Sequence, residues 1–261
     1  MLNYFFLLLI SVFSFKFHAA QQRLEFQPGS LSEEVLARLQ DEFAGNKNIP
    51  SEYRQQILIA LSFFPELKNT AIDFRIRHTD KAPLTTVPGF WSLWKKPMKR
   101  TYVITIRNMR SKTLQPILFE NLPFNAQIGV IGHELSHVTD FQGQTFLQLI
   151  WGGIQHISYR YIDRFEFKTD SICVAHGLGY QLLAWSEYVR QSLHRNNWIG
   201  AGSEPETCSG RERYMNPSTI LKRIQSEPVY QSFCCERIGD ATCLSIKKYL
   251  CNTQCHSQLQ Q

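Results

Sequence analysis

The sequence predicts an α+β fold that is mainly helical, with a small sheet beside one long helix and a cysteine-rich appendage at the C-terminus. Helical apolar patterns recur along the 261-residue chain. Two segments, Ala71–Arg77 and Thr101–Arg107, alternate apolar and polar side chains as half-buried strands do. Six of the seven cysteines follow residue 207. This crowding predicts a short segment held together by disulfides rather than by a large core.

The first part of the chain predicts two helices and two strands. Residues 30–43 form an amphipathic helix that Ser30 or Ser32 can cap. Residues 51–64 form a second helix, with the serine at its start as the expected cap and a proline directly after its end. The two strands follow. Between them, residues 81–99 are rich in Pro, Trp and Lys and are expected to form a loop.

The long central helix carries the segment His133-Glu134-Leu135-Ser136-His137, which fits the pattern H-E-x-x-H. Residues four apart lie on one face of a helix, so both imidazoles can bind one metal ion. Zinc lowers the pKa of a bound water to about 7, and Glu134 can take the proton. The pattern predicts a hydrolytic zinc site with Glu134 as general base. Gly129 and Gly132 predict close approach of another backbone, such as a strand beside the cleft. The alternative is an amphipathic helix with histidines at its surface.

Further helices are predicted downstream. Residues 146–154 are apolar but shorter than the roughly 20 residues that span a bilayer. They can touch a membrane surface, although a helix packed on the metal-binding helices is the simpler interpretation. The next helix is expected to break at Gly177 and Gly179, before another helix at 180–193. Asn216-Pro217 predicts the start of a short helix, with Asn as the cap and Pro in the first position.

A catalytic zinc site needs a third protein ligand and an open position for water. Glu166 is the predicted third ligand. Asp170, one helical turn later, is predicted to accept the second ring N–H of a ligand histidine and so fix its tautomer. His156 and His176 are rival ligands, and Asp163 is a weaker one. A solvated pair of acidic residues on the helix surface is the alternative interpretation.

The H-E-x-x-H segment and the segment Arg164-Phe165-Glu166-Phe167-Lys168-Thr169-Asp170 together resemble the gluzincin metallopeptidases. They are most similar to the branch that holds the CAAX prenyl protease and the heat-shock peptidase HtpX, in which a helix with R-x-x-E-x-x-A-D follows the H-E-x-x-H helix. Here Arg164 lies one position nearer to Glu166 than the arginine of that pattern lies to its glutamate, and Thr169 replaces the usual Ala. The resemblance covers residues 100–180 and implies a zincin-like fold. It implies one zinc ion, with His133, His137 and Glu166 as its ligands and Glu134 as the base.

The resemblance also implies that an edge strand beside the cleft binds extended substrate as an added strand. That role is assigned to Tyr102, Val103, Ile104, Thr105, Ile106 and Arg107. Trp91 and Trp94 either roof the cleft or pack into the core beneath the loop. The reaction also needs a donor for the developing oxyanion besides zinc. The candidates, which the sequence does not rank, are His156, Tyr159, Tyr161 and Arg164.

These residues predict a zinc metalloendopeptidase that acts on a protein or peptide substrate. A zinc-binding protein without catalytic activity is one alternative. An amide hydrolase that acts on cell-wall peptides is another. The formal net charge of +6 is interpreted as a solvated basic surface, because no nucleic-acid-binding motif accompanies it. No nucleic-acid partner is therefore expected.

The sequence predicts three regions. Residues 1–20 form a signal peptide, residues 21–200 the metallopeptidase domain, and residues 201–261 the cysteine-rich appendage. The signal peptide predicts export, to the periplasm or outside the cell. An uncleaved N-terminus that anchors the protein to a membrane, facing outside the cytoplasm, is the alternative, and it would give the chain a membrane contact.

The number of cysteines supports the prediction that the protein is exported to an oxidising compartment. Their spacing does not determine which disulfide pairs form. A second zinc site built from these thiols is the competing hypothesis. The six cysteines of the appendage are Cys208, Cys234, Cys235, Cys243, Cys251 and Cys255. The seventh, Cys173, is predicted to be a small buried group in the core.

Overall fold

The computed structural model describes residues 24–78, 83–107, 114–196, 198–200 and 212–231. The predicted signal peptide and the six C-terminal cysteines lie outside the described residues. Among the described residues, Cys173 is a free, fully buried thiol, as predicted.

Helices make up most of the described chain, and four strands form one sheet, so the predicted α+β class is confirmed. The helices are α1 (Glu33–Phe43), α2 (Arg54–Leu61), α3 (Phe124–Gln142), α4 (Phe146–Gln155), α5 (Tyr159–Cys173), α6 (Gly179–Leu193), α7 (Pro217–Ser226) and α8 (Pro228–Gln231). The strands are β1 (Lys47–Asn48), β2 (Ala71–Arg77), β3 (Leu84–Pro88) and β4 (Thr101–Arg107). Among the described helices, none combines the length and the apolar character needed to cross a bilayer.

The strands are arranged in the order β1-β2-β4-β3. β1, β2 and β4 run parallel, whereas β3 pairs antiparallel with β4. Strand β3 lies inside residues 81–99, which were expected to form a loop. Its five residues end at Pro88, and such a short segment gives little periodicity to detect.

The prediction that β4 is an edge strand is wrong. β4 is hydrogen-bonded on both sides, because β2 pairs with one edge and β3 with the other. Its backbone therefore has no free edge for an added strand. The residues affected are Tyr102, Val103, Ile104, Thr105, Ile106 and Arg107. The exposed edge next to α3 belongs to β3 instead.

The first two helices differ in how they begin. Ser32 caps α1, and its hydroxyl accepts a hydrogen bond from the backbone N–H of Val35 at 3.4 Å. The second helix begins with a 3₁₀ turn at Ser51–Tyr53, and no side-chain cap is present. The predicted Ser51 cap is therefore wrong. α2 also ends at Leu61, three residues before the predicted end at Phe64.

Helix α3 forms the centre of the molecule, because its middle is buried on every side. It packs against α2, α5, α6 and β3. Gly129 makes the close contact with α6 possible, since a Cβ at this position would overlap the backbone of Gln181. The backbone that approaches this glycine is therefore a helix, not the strand that the sequence suggested. Helices α5 and α6 are joined at Val174–Leu178, where Gly177 has a φ of 97°. This is the break that the glycines predict.

We expect Gly129→Ala to destabilise the fold by about 3 kcal/mol, because the added methyl group meets rigid backbone rather than a flexible side chain. Urea unfolding measures the loss. Gly153→Ala in α4 is the matched control, since no atom lies within 4 Å of its added Cβ and Ala favours the helix. An unfolding midpoint for Gly129→Ala at or above that of the control would contradict the packing described for α3 and α6.

Candidate metal centre

Two histidines of α3 and one glutamate of α5 converge on one point. The Nε2 atom of His133 lies 3.1 Å from Oε2 of Glu166, and Nε2 of His137 lies 3.4 Å from the same oxygen. One ligand atom from each side chain lies within 4.8 Å of the other two. The convergence follows from the i, i+4 spacing on α3 and from the packing of α5 across it. These three residues form a group that can hold a metal ion.

The donors suit a transition metal rather than a hard cation. Two imidazole nitrogens and one carboxylate oxygen match the ligand types that zinc takes in catalytic sites, whereas calcium and magnesium prefer oxygen ligands alone. Both histidines are buried, and the Glu166 side chain is 15% exposed. The donors are therefore largely shielded from water but can still be reached from one side.

Asp170 fixes the orientation of His133. Its Oδ1 lies 2.8 Å from Nδ1 of His133, and its Oδ2 accepts a hydrogen bond of 2.7 Å from the backbone N–H of Met215. A proton on Nδ1 donates to the carboxylate and leaves Nε2 free for a metal. This contact is the one that the sequence analysis assigns to Asp170.

Thr169 does the same for the second histidine. Its hydroxyl donates to the backbone carbonyl of Phe165 at 2.9 Å, and Nδ1 of His137 lies 3.1 Å from the same oxygen. Because the hydroxyl proton goes to the carbonyl, the ring N–H donates to Thr169 and Nε2 faces Glu166. The sequence noted Thr169 only as a departure from a family pattern, and its contact with His137 was not predicted.

The two acidic side chains favour positive charge at this point. Burial lowers the pKa of His133, but its hydrogen bonds with Asp170 and Glu166 outweigh burial and raise the pKa well above the ordinary value. Burial raises the pKa of Glu166, but the charge of His137 and the hydrogen bonds with His133 and His137 hold it well below the ordinary value. A proton or a metal ion can supply the positive charge that the carboxylates favour.

Glu134 is buried on α3 between the two histidines. Its Oε2 accepts a hydrogen bond of 2.6 Å from the hydroxyl of Thr86 on β3. The strand thus fixes the rotation of the carboxylate that the motif predicts to be the base. Thr86 was not predicted, because it lies in the segment that was expected to be a loop.

A cleft of about 570 Å³ opens over this group. Strand β3, α4 and the first half of α5 all contribute residues to its lining. The polar residues that line the cleft include His133, His137, Glu134 and Glu166. Its apolar lining includes Leu84, Val87, Leu93, Phe141, Leu149, Ile150 and Phe165. A molecule in the cleft therefore contacts the candidate ligands and an apolar surface together.

The predicted oxyanion donors do not all reach this cleft. His156 and Tyr161 line it, and Nδ1 of His156 bonds to the backbone carbonyl of Gly152 at 2.8 Å. Tyr159 and Arg164 are exposed and are not part of the lining. The structure therefore brings only two of the four candidates to the cleft.

Tyr214 is a further phenol in the cleft, and the sequence did not indicate it. Its ring centroid lies 5.7 Å from that of His133, and it lines the cleft. Burial raises the pKa of Tyr214 well above the ordinary value, and the nearby charges of Glu166 and Glu134 raise it further. The phenol therefore keeps its proton and can donate. No local pattern reveals it, because it arrives from a distant segment that docks on Asp170.

The rival ligands face other partners. Oδ1 of Asp163 accepts a hydrogen bond of 2.8 Å from Arg213. His176 stacks on Phe64 and has its Nε2 2.9 Å from Glu66. None of the three rivals belongs to the His133, His137 and Glu166 group.

Comparison with protein-family models, with curated proteins and with solved structures finds no match. The resemblance to gluzincin metallopeptidases therefore stays a prediction from the sequence.

We expect Asp170→Asn to weaken zinc binding by roughly 10- to 100-fold. The neutral amide lacks the full negative charge with which the carboxylate holds the ring N–H of His133. Calorimetric titration of metal-stripped protein with Zn²⁺ measures the change. Asp73→Asn is the control: it also removes a hydrogen-bonded carboxylate, but on β2, away from the cleft. Equal zinc affinities for the two variants would show that Asp170 does not support the metal centre.

Proposed function

We propose that this protein is a zinc-dependent endopeptidase of the gluzincin type, with a zincin-like catalytic core. The proposal depends mainly on one observation: Glu134 and the candidate ligands His133, His137 and Glu166 line the same cleft. A structural metal site needs no free carboxylate next to its ligands and no cleft for a substrate. A hydrolytic site needs both.

Bound zinc would lower the pKa of a water molecule in the cleft and polarise the substrate carbonyl. Glu134 accepts the proton of that water and later transfers it to the leaving amine. The hydrogen bond from Thr86 to Oε2 holds the carboxylate in one orientation and leaves its second oxygen to take the proton. Asp170 and Thr169 keep Nε2 of each histidine directed towards Glu166, where these three residues would hold the metal.

We assign oxyanion stabilisation to Tyr214, with His156 and Tyr161 as the other donors in the cleft. Tyr214 lies next to the candidate ligands, since its ring centroid is 5.7 Å from that of His133. Its raised pKa keeps the phenol in the donor form over the pH range in which peptidases work. The oxyanion is thus stabilised by a group that belongs to the protein, in addition to the metal.

Strand β3 is the proposed binding site for an extended peptide. Its antiparallel partner β4 occupies one edge, and β3 residues from Leu84 to Pro88 line the cleft. A peptide that pairs with the other edge gains backbone hydrogen bonds without a strict requirement for particular side chains. The apolar lining then favours substrates with apolar side chains near the cleaved bond.

The proposed site of action is outside the cytoplasm, as the N-terminal sequence and the cysteines suggest. The proposed substrate is therefore an exported protein or peptide. A zinc-binding protein without activity and an amide hydrolase of cell-wall peptides are the competing functions, and the cleavage assay below distinguishes them.

We expect Glu134→Gln to bind zinc normally but to cleave unfolded casein about 10²- to 10⁴-fold more slowly than wild type, because the amide cannot take a proton. Chelation of the metal should abolish wild-type cleavage. The control is Glu120→Gln, which changes an exposed glutamate. Full activity of Glu134→Gln would contradict the general-base role.

Wild-type protein that leaves casein intact but releases amines from peptidoglycan fragments would support the cell-wall alternative. Inactivity on both substrates would support a zinc-binding protein without catalytic activity.

We expect Thr86→Val to lower kcat about tenfold with little change in KM, because Glu134 loses the hydrogen bond that orients it. Thr86→Ser keeps a hydroxyl at the same place and should restore most of the rate. Steady-state kinetics on a fluorogenic peptide separate kcat from KM. Wild-type kcat in Thr86→Val, or a loss in Thr86→Ser as large as that in Thr86→Val, would show that the hydrogen bond to Glu134 does not set the rate.

A further inference from the structure

The exposed large apolar side chains of the described chain are not scattered over its surface. They fall in two segments only, residues 87–98 and 147–159. Trp91 is 86% exposed, Leu147 74% and Trp151 60%. The full set is Val87, Phe90, Trp91, Trp94, Met98, Leu147, Ile150, Trp151, Ile154, Ile157 and Tyr159. Such a concentration indicates a surface that meets an apolar partner.

The two segments meet where α4 begins. The rings of Trp94 and Phe146 lie 4.5 Å apart, which joins the first segment to the start of α4. The buried Arg100 donates to the carbonyl of Lys95 at 3.2 Å and to that of Gln144 at 2.7 Å, and so ties the first segment to the turn that precedes α4. We call this surface, formed by residues 87–99 and 146–160, the aromatic surface.

The charge of the aromatic surface has one sign. Residues 84–107 and 143–162 contain no Asp or Glu. The exposed charged side chains on the surface are Lys95, Lys96, Lys99 and Arg160. Exposed tryptophan beside exposed lysine is the composition of protein surfaces that lie at the boundary between lipid headgroups and acyl chains.

We propose that the aromatic surface docks on a membrane that contains anionic lipids. The apolar side chains enter the boundary region of one leaflet, and the lysines pair with the headgroup phosphates. Helix α4 is about 15 Å long, too short to cross the bilayer but able to lie in its plane. A protein partner complementary to this surface would need acidic groups around an apolar centre. A bilayer with anionic lipids supplies acidic headgroups and an apolar interior over an area larger than the aromatic surface, so we favour it.

Docking in this way has a consequence for the cleft. Leu93 and Ile150 belong to the segments of the aromatic surface and also line the cleft. The mouth of the cleft then faces the region next to the lipid. Under the proposed function, this location favours polypeptides that emerge from a membrane or lie on it over freely diffusing substrates.

Co-sedimentation of the full chain with vesicles tests the proposal. We expect binding to vesicles of phosphatidylcholine with phosphatidylglycerol and weaker binding to phosphatidylcholine alone. Replacing Lys95 and Lys96 by Gln should weaken binding to the anionic vesicles about fivefold for each lysine. Trp91→Ser with Trp151→Ser should abolish binding to both kinds of vesicle. Arg38→Gln with Lys222→Gln removes the same charge from exposed positions on α1 and α7, and should bind like wild type.

Three results would overturn the proposal. Wild-type protein that does not bind anionic vesicles has no such surface. Binding that is unchanged in both the lysine and the tryptophan variants arises from another part of the chain. Concentration-dependent self-association that the tryptophan variant removes, without vesicle binding, assigns the surface to a second copy of this chain. Vesicle binding needs no cleavage, so Glu134→Gln should bind like wild type. Failure of docking therefore stays separate from failure of the proposed hydrolysis.

Discussion

The contact between the carboxylates of α5 and the imidazoles of α3 is the interaction on which the rest of the structure depends. Glu166 and Asp170 place two acidic groups against His133 in a largely buried setting. An uncompensated buried carboxylate is strongly destabilising. A proton or a metal ion between the helices would offset that cost at Glu166, whereas Asp170 already accepts a hydrogen bond from the backbone N–H of Met215. Binding of a metal ion at this point would therefore stabilise the fold.

The surrounding elements hold that contact in position. α6 packs tightly on α3 because Gly129 leaves room for its backbone. The segment before α7 bonds to the second oxygen of Asp170 through Met215. On β3, the hydroxyl of Thr86 donates a hydrogen bond to the carboxylate of Glu134. Three distant parts of the chain thus fix the candidate ligands, Glu134 and Asp170.

How much of the structure the sequence could predict depended on how far apart in the chain the interacting residues lie. His133 and His137 were predictable because the spacing on a helix alone puts them on one face. Glu166 and Asp170 were predictable by their own spacing and by family resemblance. The order of the strands in the sheet depends on residues that are far apart in sequence. The prediction that β4 is an edge strand was wrong for that reason.

Thr86 and Tyr214 carry no local signal. A threonine in a short strand and a tyrosine in an irregular segment reach Glu134 and His133 only when the chain folds around α3. The class of the fold and the two histidines of the candidate metal site could therefore be predicted from periodicity, and Glu166 from its spacing and from family resemblance, whereas the positions of Thr86 and Tyr214 in the cleft required the structure. The aromatic surface shows the same limit. Its two segments are separated in sequence and become one surface only through contacts such as that of Trp94 with Phe146.

The central claim is that His133, His137 and Glu166 bind one metal ion in an open cleft. Anomalous diffraction at the zinc absorption edge, from crystals of the full chain grown with Zn²⁺, tests it most directly. The account predicts one strong peak at about 2.0–2.1 Å from Nε2 of each histidine and at a similar distance from the Glu166 carboxylate. No peak between these three side chains, or a peak only among the C-terminal cysteines, would contradict it.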